Sequence, residues 1–264
     1  MSRIGRAVLS ALVWASWAVM VIAWTPVLLV VFLLTAWWDR PRWIVGRAFR
    51  ILAAAAVRLN PLWKVAFRGR LPEDRSRPYV VVCNHESLAD PVLVGSLPWE
   101  TKWIAKQAVF RIPFLGQMMW MAGDVLVRRR DKESRAEAYE SLRGWIGRGA
   151  SVMIFPEGTR STTGELLPFR NGAFRLAVET GAPLLPLAVV GTRQALRKGS
   201  LLFGRADARV AILDPVPAAG RTMDEVEELR DEVRDRIAAA RRRLSDDRTT
   251  GRDATCPDGR GAGP

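Results

Sequence analysis

Between Ala7 and Trp38 the chain carries no charged side chain, and Pro26 stands near the middle of the run. As one helix this stretch would reach roughly 48 Å at about 1.5 Å per residue, against a hydrocarbon core of about 30 Å. It is longer than one span needs and too short for two full ones. Two arrangements satisfy it: a single tilted span kinked at Pro26, or a hairpin that enters one leaflet and returns. The run is too long for a cleaved signal peptide, and no small-residue cleavage site follows it. Trp37 and Trp38 suit a headgroup interface. From Arg42 to Leu59 arginines interrupt an apolar face, which predicts an amphipathic helix lying on a membrane surface or covering the domain that follows. Arg40, Arg42, Arg47 and Arg50 outnumber Arg3 and Arg6, so the bias of basic residues places that domain on the cytoplasmic face of the cell membrane.

Beyond residue 60 the pattern changes to alternating short apolar runs and helical periodicities. Strands are expected at Lys64–Arg68, Tyr79–Cys83, Thr101–Ala105, Asp124–Arg128, Ser151–Phe155, Leu184–Val190 and Arg209–Leu213. Helices are expected from Asp90 to about Leu97, over Ile112–Met121, Glu133–Gly147, Arg170–Thr180 (closed by Gly181) and Asp224–Leu244. The alternation predicts an α/β fold with a largely parallel or mixed central sheet and flanking helices, preceded by an N-terminal membrane-associated helical element. The expected divisions are 1–60 for that element, 61–244 for the α/β domain, and 245–264 for a polar, glycine-rich, disordered tail. The Met- and Trp-containing run 112–121 suits an acyl-chain groove or, preferably, core packing.

A formal net charge of +13 suits anionic partners: nucleic acid, lipid headgroups or phosphorylated substrates. No nucleic-acid motif accompanies it. The two cysteines, Cys83 and Cys256, form neither a disulfide framework nor a zinc spacing. Cys83 reads as a plain buried thiol.

The chain has one histidine, His85, in the cluster Asn84-His85-Glu86-Ser87-Leu88-Ala89-Asp90 just after a strand. Strand ends are where α/β folds carry their chemistry. Imidazole takes a proton near neutral pH, and a carboxylate on its other nitrogen fixes the tautomer. His85 and Asp90 form such a pair if the loop turns back; the alternative is a loop histidine and a helix-capping aspartate. Ser87 is a competing nucleophile. A second cluster, Phe155-Pro156-Glu157-Gly158-Thr159-Arg160-Ser161, also follows a strand. Its glycine can expose amides to an anion, and Arg160 can clamp a phosphate; an ordinary loop with a solvated arginine is the other reading.

Together, complete and in this order, the N-H-x4-D and F-P-E-G-T-R-S clusters resemble the 1-acyl-sn-glycerol-3-phosphate acyltransferases of the glycerolipid acyltransferase family. Gly123–Arg129 and Ala182–Leu187 are similar to two weaker blocks of that family, with Arg128 standing where aspartate is common. The resemblance covers roughly Lys64 to Asp214. It implies transfer of a fatty acyl group from acyl-CoA or acyl carrier protein to lysophosphatidate, at a membrane, with no metal or other cofactor and no nucleic acid. His85 would be the base and Asp90 its support. Arg160 and Arg129 would bind the phosphate with help from Lys106, and Glu157, Gly158 and Thr159 would shape the acceptor site. Glu157, an acid in an anion site, would bond the glycerol hydroxyl or orient Arg160. A different hydroxylated lipid acceptor, thioester hydrolysis, and a non-enzymatic basic module are the alternatives.

Overall fold

The computed structural model describes residues 2–128, 130–197 and 199–249. The elements follow in chain order as α1 (Arg3–Thr35), α2 (Trp43–Arg58), β1 (Trp63–Arg68), β2 (Val80–Cys83), α3 (Asp90–Gly95), β3 (Lys102–Lys106), α4 (Gln107–Phe110), α5 (Leu115–Ala122), β4 (Val125–Val127), α6 (Lys132–Gly147), β5 (Val152–Ile154), α7 (Gly172–Thr180), β6 (Leu184–Val190), β7 (Ala206–Ile212) and α8 (Val226–Thr249).

Seven strands form one mixed sheet in the order β1-β7-β6-β2-β5-β3-β4. Strands β4, β3, β5, β2 and β6 run parallel, β7 turns antiparallel to β6, and β1 is parallel to β7. The parallel block reads as continuous apolar runs because both its faces are covered. Val80 and Val82 of β2 face a core closed by Leu142 of α6, Phe174 of α7, and Leu229, Val233 and Ile237 of α8. Val81 and Cys83 point the other way, toward Val94, Leu97 and Trp103.

Helix α1 is one continuous helix through Pro26. Its N-terminal half joins an aromatic cluster of the α/β domain: Trp14 meets Phe203 at 5.0 Å, Trp17 meets Trp63 at 5.7 Å, and Trp14 Nε1 donates to Leu201 O at 2.8 Å. Its C-terminal half buries Leu28 against Val45, Phe49 and Met118. These contacts extend from Leu9 to Phe32, about 35 Å of helix at 1.5 Å per residue. The opposite side exposes Ile4, Val8, Leu12, Val19, Ile22, Leu29, Val30, Leu33 and Leu34.

Helix α2 covers the domain, as one of its two expected roles required. Arg50 reaches Asp124 Oδ1 at 2.6 Å and Thr101 O at 2.8 Å, inside a buried ionic group with Glu100 and Lys102. Met118, Met119 and Met121 of α5 are core packing, while Ile112, Phe114 and Trp120 of the same run are exposed. That helix starts later than its apolar run, at Leu115, because Pro113 interrupts the preceding turn. The tail also starts later than expected. Helix α8 continues through Ser245 to Thr249, with Leu244 buried and Arg248 Nε 3.7 Å from Asp207 Oδ2. The rest of the expected tail, 250–264, lies outside the described residues.

Candidate active site

Strand β2 ends at Cys83, and the loop beyond it is held by its own side chains. Asn84 continues the sheet with its amide group, donating to Val189 O at 2.9 Å and accepting from Val189 N at 2.8 Å. Asp90 is fully buried. One of its oxygens, Oδ2, accepts from the amides of Glu86 and Ser87 at 2.7 and 2.8 Å and lies 2.8 Å from His85 Nδ1. A carboxylate only accepts, so Nδ1 carries the proton and Nε2 keeps the lone pair. The imidazole is stacked on Phe155, with ring centroids 4.2 Å apart and planes at 20°. That ring and the Asp90 bond fix both the tilt and the direction of the imidazole.

The rival nucleophiles are accounted for by packing. Ser87 Oγ donates to Leu196 O at 3.0 Å and accepts from Ala89 N at 3.2 Å, a buried brace for the loop. Cys83 is fully buried, and burial pushes its thiol well above the usual range, which opposes the reactive thiolate.

The second loop is joined to the first through the backbone of His85. Ser161 N donates to His85 O at 2.8 Å, and His85 N donates to Glu157 Oε1 at 2.6 Å. Glu157 Oε2 accepts from Leu167 N at 3.1 Å. Both oxygens of Glu157 are therefore occupied by main-chain donors. Glu157 thereby pins the His85 loop to its own, a role its sequence position did not show. Burial lifts its carboxyl to about 7, against the two amide bonds that favour the ion. Gly158 has φ 67°, a left-handed conformation that favours glycine at this turn.

Arg160 stands one residue before the Ser161–His85 bond. Its Nη1 is buried and has no hydrogen-bond partner among the described residues. Thr159 is exposed on the same turn. Lys106 is exposed at the end of β3. Position 129 lies outside the described residues, while its neighbour Arg128 is exposed and pairs with Asp131 at 2.9 Å. The sheet order sets the spacing. At about 4.8 Å per strand, the end of β3 is roughly 10 Å from the end of β2, and the end of β4 roughly 14 Å. The structure thus brings His85, Asp90 and the 157–161 turn together and leaves Lys106 further along the same edge.

One residue of the site has no signature in the sequence. Arg241 of α8 donates to Glu86 Oε1 at 2.5 Å and to Gly164 O at 2.6 Å. Glu86 is buried, and its carboxyl is raised by that burial while Arg241 opposes the shift. The helical stripe of α8 is legible from Val226, Leu229, Val233 and Ile237, but nothing in its spacing tells which arginine faces inward.

Comparison with known proteins agrees with this arrangement. A family model described as Acyltransferase matches residues 64–190. The chloroplastic 1-acyl-sn-glycerol-3-phosphate acyltransferase of Brassica napus is 36% identical over 70% of this chain and 53% of its own length. The human 1-acyl-sn-glycerol-3-phosphate acyltransferase alpha is 33% identical over 72% of this chain and 68% of its own. The chain thus spans about half the length of the plant relative and two thirds of the human one. Among solved structures, the 1-acyl-sn-glycerophosphate (LPA) acyltransferase PlsC from Thermotoga maritima superposes with a TM-score of 0.79 and 27% identity, covering 93% of this chain and 98% of that one.

Proposed function

This chain belongs to the acyltransferase family, and on that premise we propose that it transfers a fatty acyl group from a thioester, acyl-CoA or acyl carrier protein, to the free hydroxyl of 1-acylglycerol 3-phosphate. The observation that carries the proposal is the 2.8 Å contact between His85 Nδ1 and a fully buried Asp90, joined through Ser161 to the loop that carries Arg160.

In this mechanism His85 Nε2 takes the proton of the acceptor hydroxyl as its oxygen attacks the thioester carbonyl. The tetrahedral intermediate collapses, the C–S bond breaks, and the thiol leaves with the proton returned from the imidazolium. Phosphatidate and free thiol are the products. Asp90 holds the ring and stabilises its charged form. The acceptor is itself the nucleophile, so no serine or cysteine ester is formed. General-base action of this kind contributes about 10²–10⁴-fold in rate. Arg160, half-buried on the turn beside His85, binds the acceptor phosphate through its guanidinium, a charge-assisted contact. Lys106 acts further along the edge, the family resemblance assigns Arg129 to the same phosphate, and Gly158 and Thr159 shape the turn beside Arg160.

The long helix supports a monotopic reading of membrane attachment. A bilayer-spanning helix needs about 30 Å of its length surrounded by lipid. Over a comparable length one side of α1 is occupied by the domain, while the other is apolar and exposed. Such a helix lies along one leaflet with the domain on its cytoplasmic side, where exposed Arg40 and Arg47 meet anionic headgroups. An acceptor panel with purified protein and one labelled acyl donor tests the activity. Label in phosphatidate supports it; label in free fatty acid alone, or in another acceptor alone, rejects it.

A further inference from the structure

A second apolar surface lies beyond α4. The chain passes through Arg111-Ile112-Pro113-Phe114 before entering α5, and Ile112 and Phe114 are 47% and 42% exposed. The turn at Phe114 has φ 65° and ψ −49°, with Leu115 N donating to Pro113 O at 2.7 Å. This is a γ-turn of the rare positive-φ kind, a strained conformation for a phenylalanine. Gly116 closes it, since a Cβ there would lie 1.9 Å from Phe110 O. The tip thus holds an unfavourable backbone in order to turn two large apolar side chains outward, where water penalises them as well.

The tip is continuous with α1. Phe114 stands at the N-terminus of α5, and Trp120 lies about two turns further along that helix. Trp120 is 59% exposed, and its ring meets Phe32 of α1 at 5.6 Å. From there the surface runs into Leu29, Leu33 and Trp37, all exposed. Arg111 and Lys106 flank the tip with positive charge, and Lys106 ends the strand beside the active-site edge. A second protein is a poor fit for this surface. A stable contact needs about 800 Å² from each partner, more than Ile112, Phe114 and Trp120 add to an α1 surface that the leaflet already covers.

We propose that the Arg111–Phe114 tip, together with Trp120, is a second membrane contact that dips into the acyl region of the leaflet beside the catalytic edge. A lipid acceptor then reaches His85 from the bilayer without crossing water. The inference rests on the reading of α1 as the membrane-facing helix. Its test uses the full chain with Cys256→Ser, in which Cys83 is buried, and Phe114→Cys carrying a bimane label. On vesicles of phosphatidylcholine and phosphatidylglycerol the label should shift to the blue. It should be quenched by acyl-chain nitroxide lipids and protected from iodide. A vesicle-bound protein whose label stays open to iodide overturns the tip and leaves α1 standing; failure of the parent chain to bind vesicles removes both. Phe114→Gly supplies a second arm, because glycine accepts the positive φ. It should keep or raise Tm, raise KM about tenfold for an acceptor embedded in vesicles, and leave kcat with a short-chain soluble acceptor unchanged. Equal losses with both acceptors, together with a lower Tm, would make Phe114 purely structural and reject the proposal.

Discussion

Arg241 donates to Glu86 Oε1 at 2.5 Å, so a helix 155 residues further along the chain grips the residue beside the sole histidine. The same guanidinium holds Gly164 O at 2.6 Å, in the segment that follows the second motif loop. Removing it leaves a buried carboxylate without its cation, which costs about 3–5 kcal/mol. Arg241→Ala should therefore lower Tm by several degrees and cut kcat on the order of tenfold or more through displacement of the loop. Adding Glu86→Gln removes the stranded charge. The double variant should regain most of the Tm, measured by thermal unfolding, and a double variant as unstable as Arg241→Ala would contradict the pairing.

Asp90 collects three donors on one oxygen, and an amide cannot replace that. Asp90→Asn should lose on the order of 10³–10⁴ in kcat, the size expected when the supporting carboxylate no longer selects the tautomer. KM for both substrates should stay within a few-fold, as steady-state kinetics would show.

Arg160 is the arginine proposed to bind the acceptor phosphate, and it stands on the turn bonded to His85 O through Ser161. Losing a charge-assisted hydrogen bond of about 1.5–3 kcal/mol corresponds to roughly 10–100-fold. Arg160→Ala should raise KM for lysophosphatidate by that factor and hardly change KM for the acyl donor. Equal effects on the two would place the arginine elsewhere.

Glu157 carries the pH dependence of the joint between the loops. Its carboxyl in the folded protein is raised to about 7 by burial, above the ordinary 4.5. The folded state thus holds this proton more tightly than the unfolded one. The resulting stabilisation is full below pH 4.5 and disappears as pH rises through about 7. Glu157→Gln cannot titrate, so the difference in Tm between wild type and variant should move against the wild type across that window. Activity should run the opposite way, because only the ion accepts both His85 N and Leu167 N fully. The wild type should lose kcat on the acid side with a contribution near pH 7 that Glu157→Gln lacks.

Much of this arrangement was legible in the residues because short-range physics writes it there. Apolar runs such as Val80–Cys83 and Leu184–Val190 announce strands buried on both faces, and each strand end then marks where polar clusters must emerge. The His85–Asp90 pairing is also local, five residues closing on themselves around two amides. What escaped reading depends on sheet order. Val80 lies beside both Val152 and Leu184, and no local pattern declares that. That Glu157 holds the amides of His85 and Leu167 could not be read from its own loop. The inward turn of Arg241 likewise follows from how α8 lies across the sheet. For α1, composition set the length of the apolar run, while the tryptophan contacts to Trp63 and Phe203 decided how it rests on the domain.

The central claim is that one imidazole, and no covalent acyl-enzyme, drives transfer. Single-turnover rapid quench with labelled acyl donor, lysophosphatidate, and either wild type or His85→Ala addresses it directly. Label should pass straight to phosphatidate in the wild type, no acyl-protein should form when acceptor is withheld, and the rate should be about 10²–10⁴-fold lower in the variant with acceptor binding intact. Labelled protein accumulating without acceptor, or near-normal transfer by His85→Ala, would contradict it.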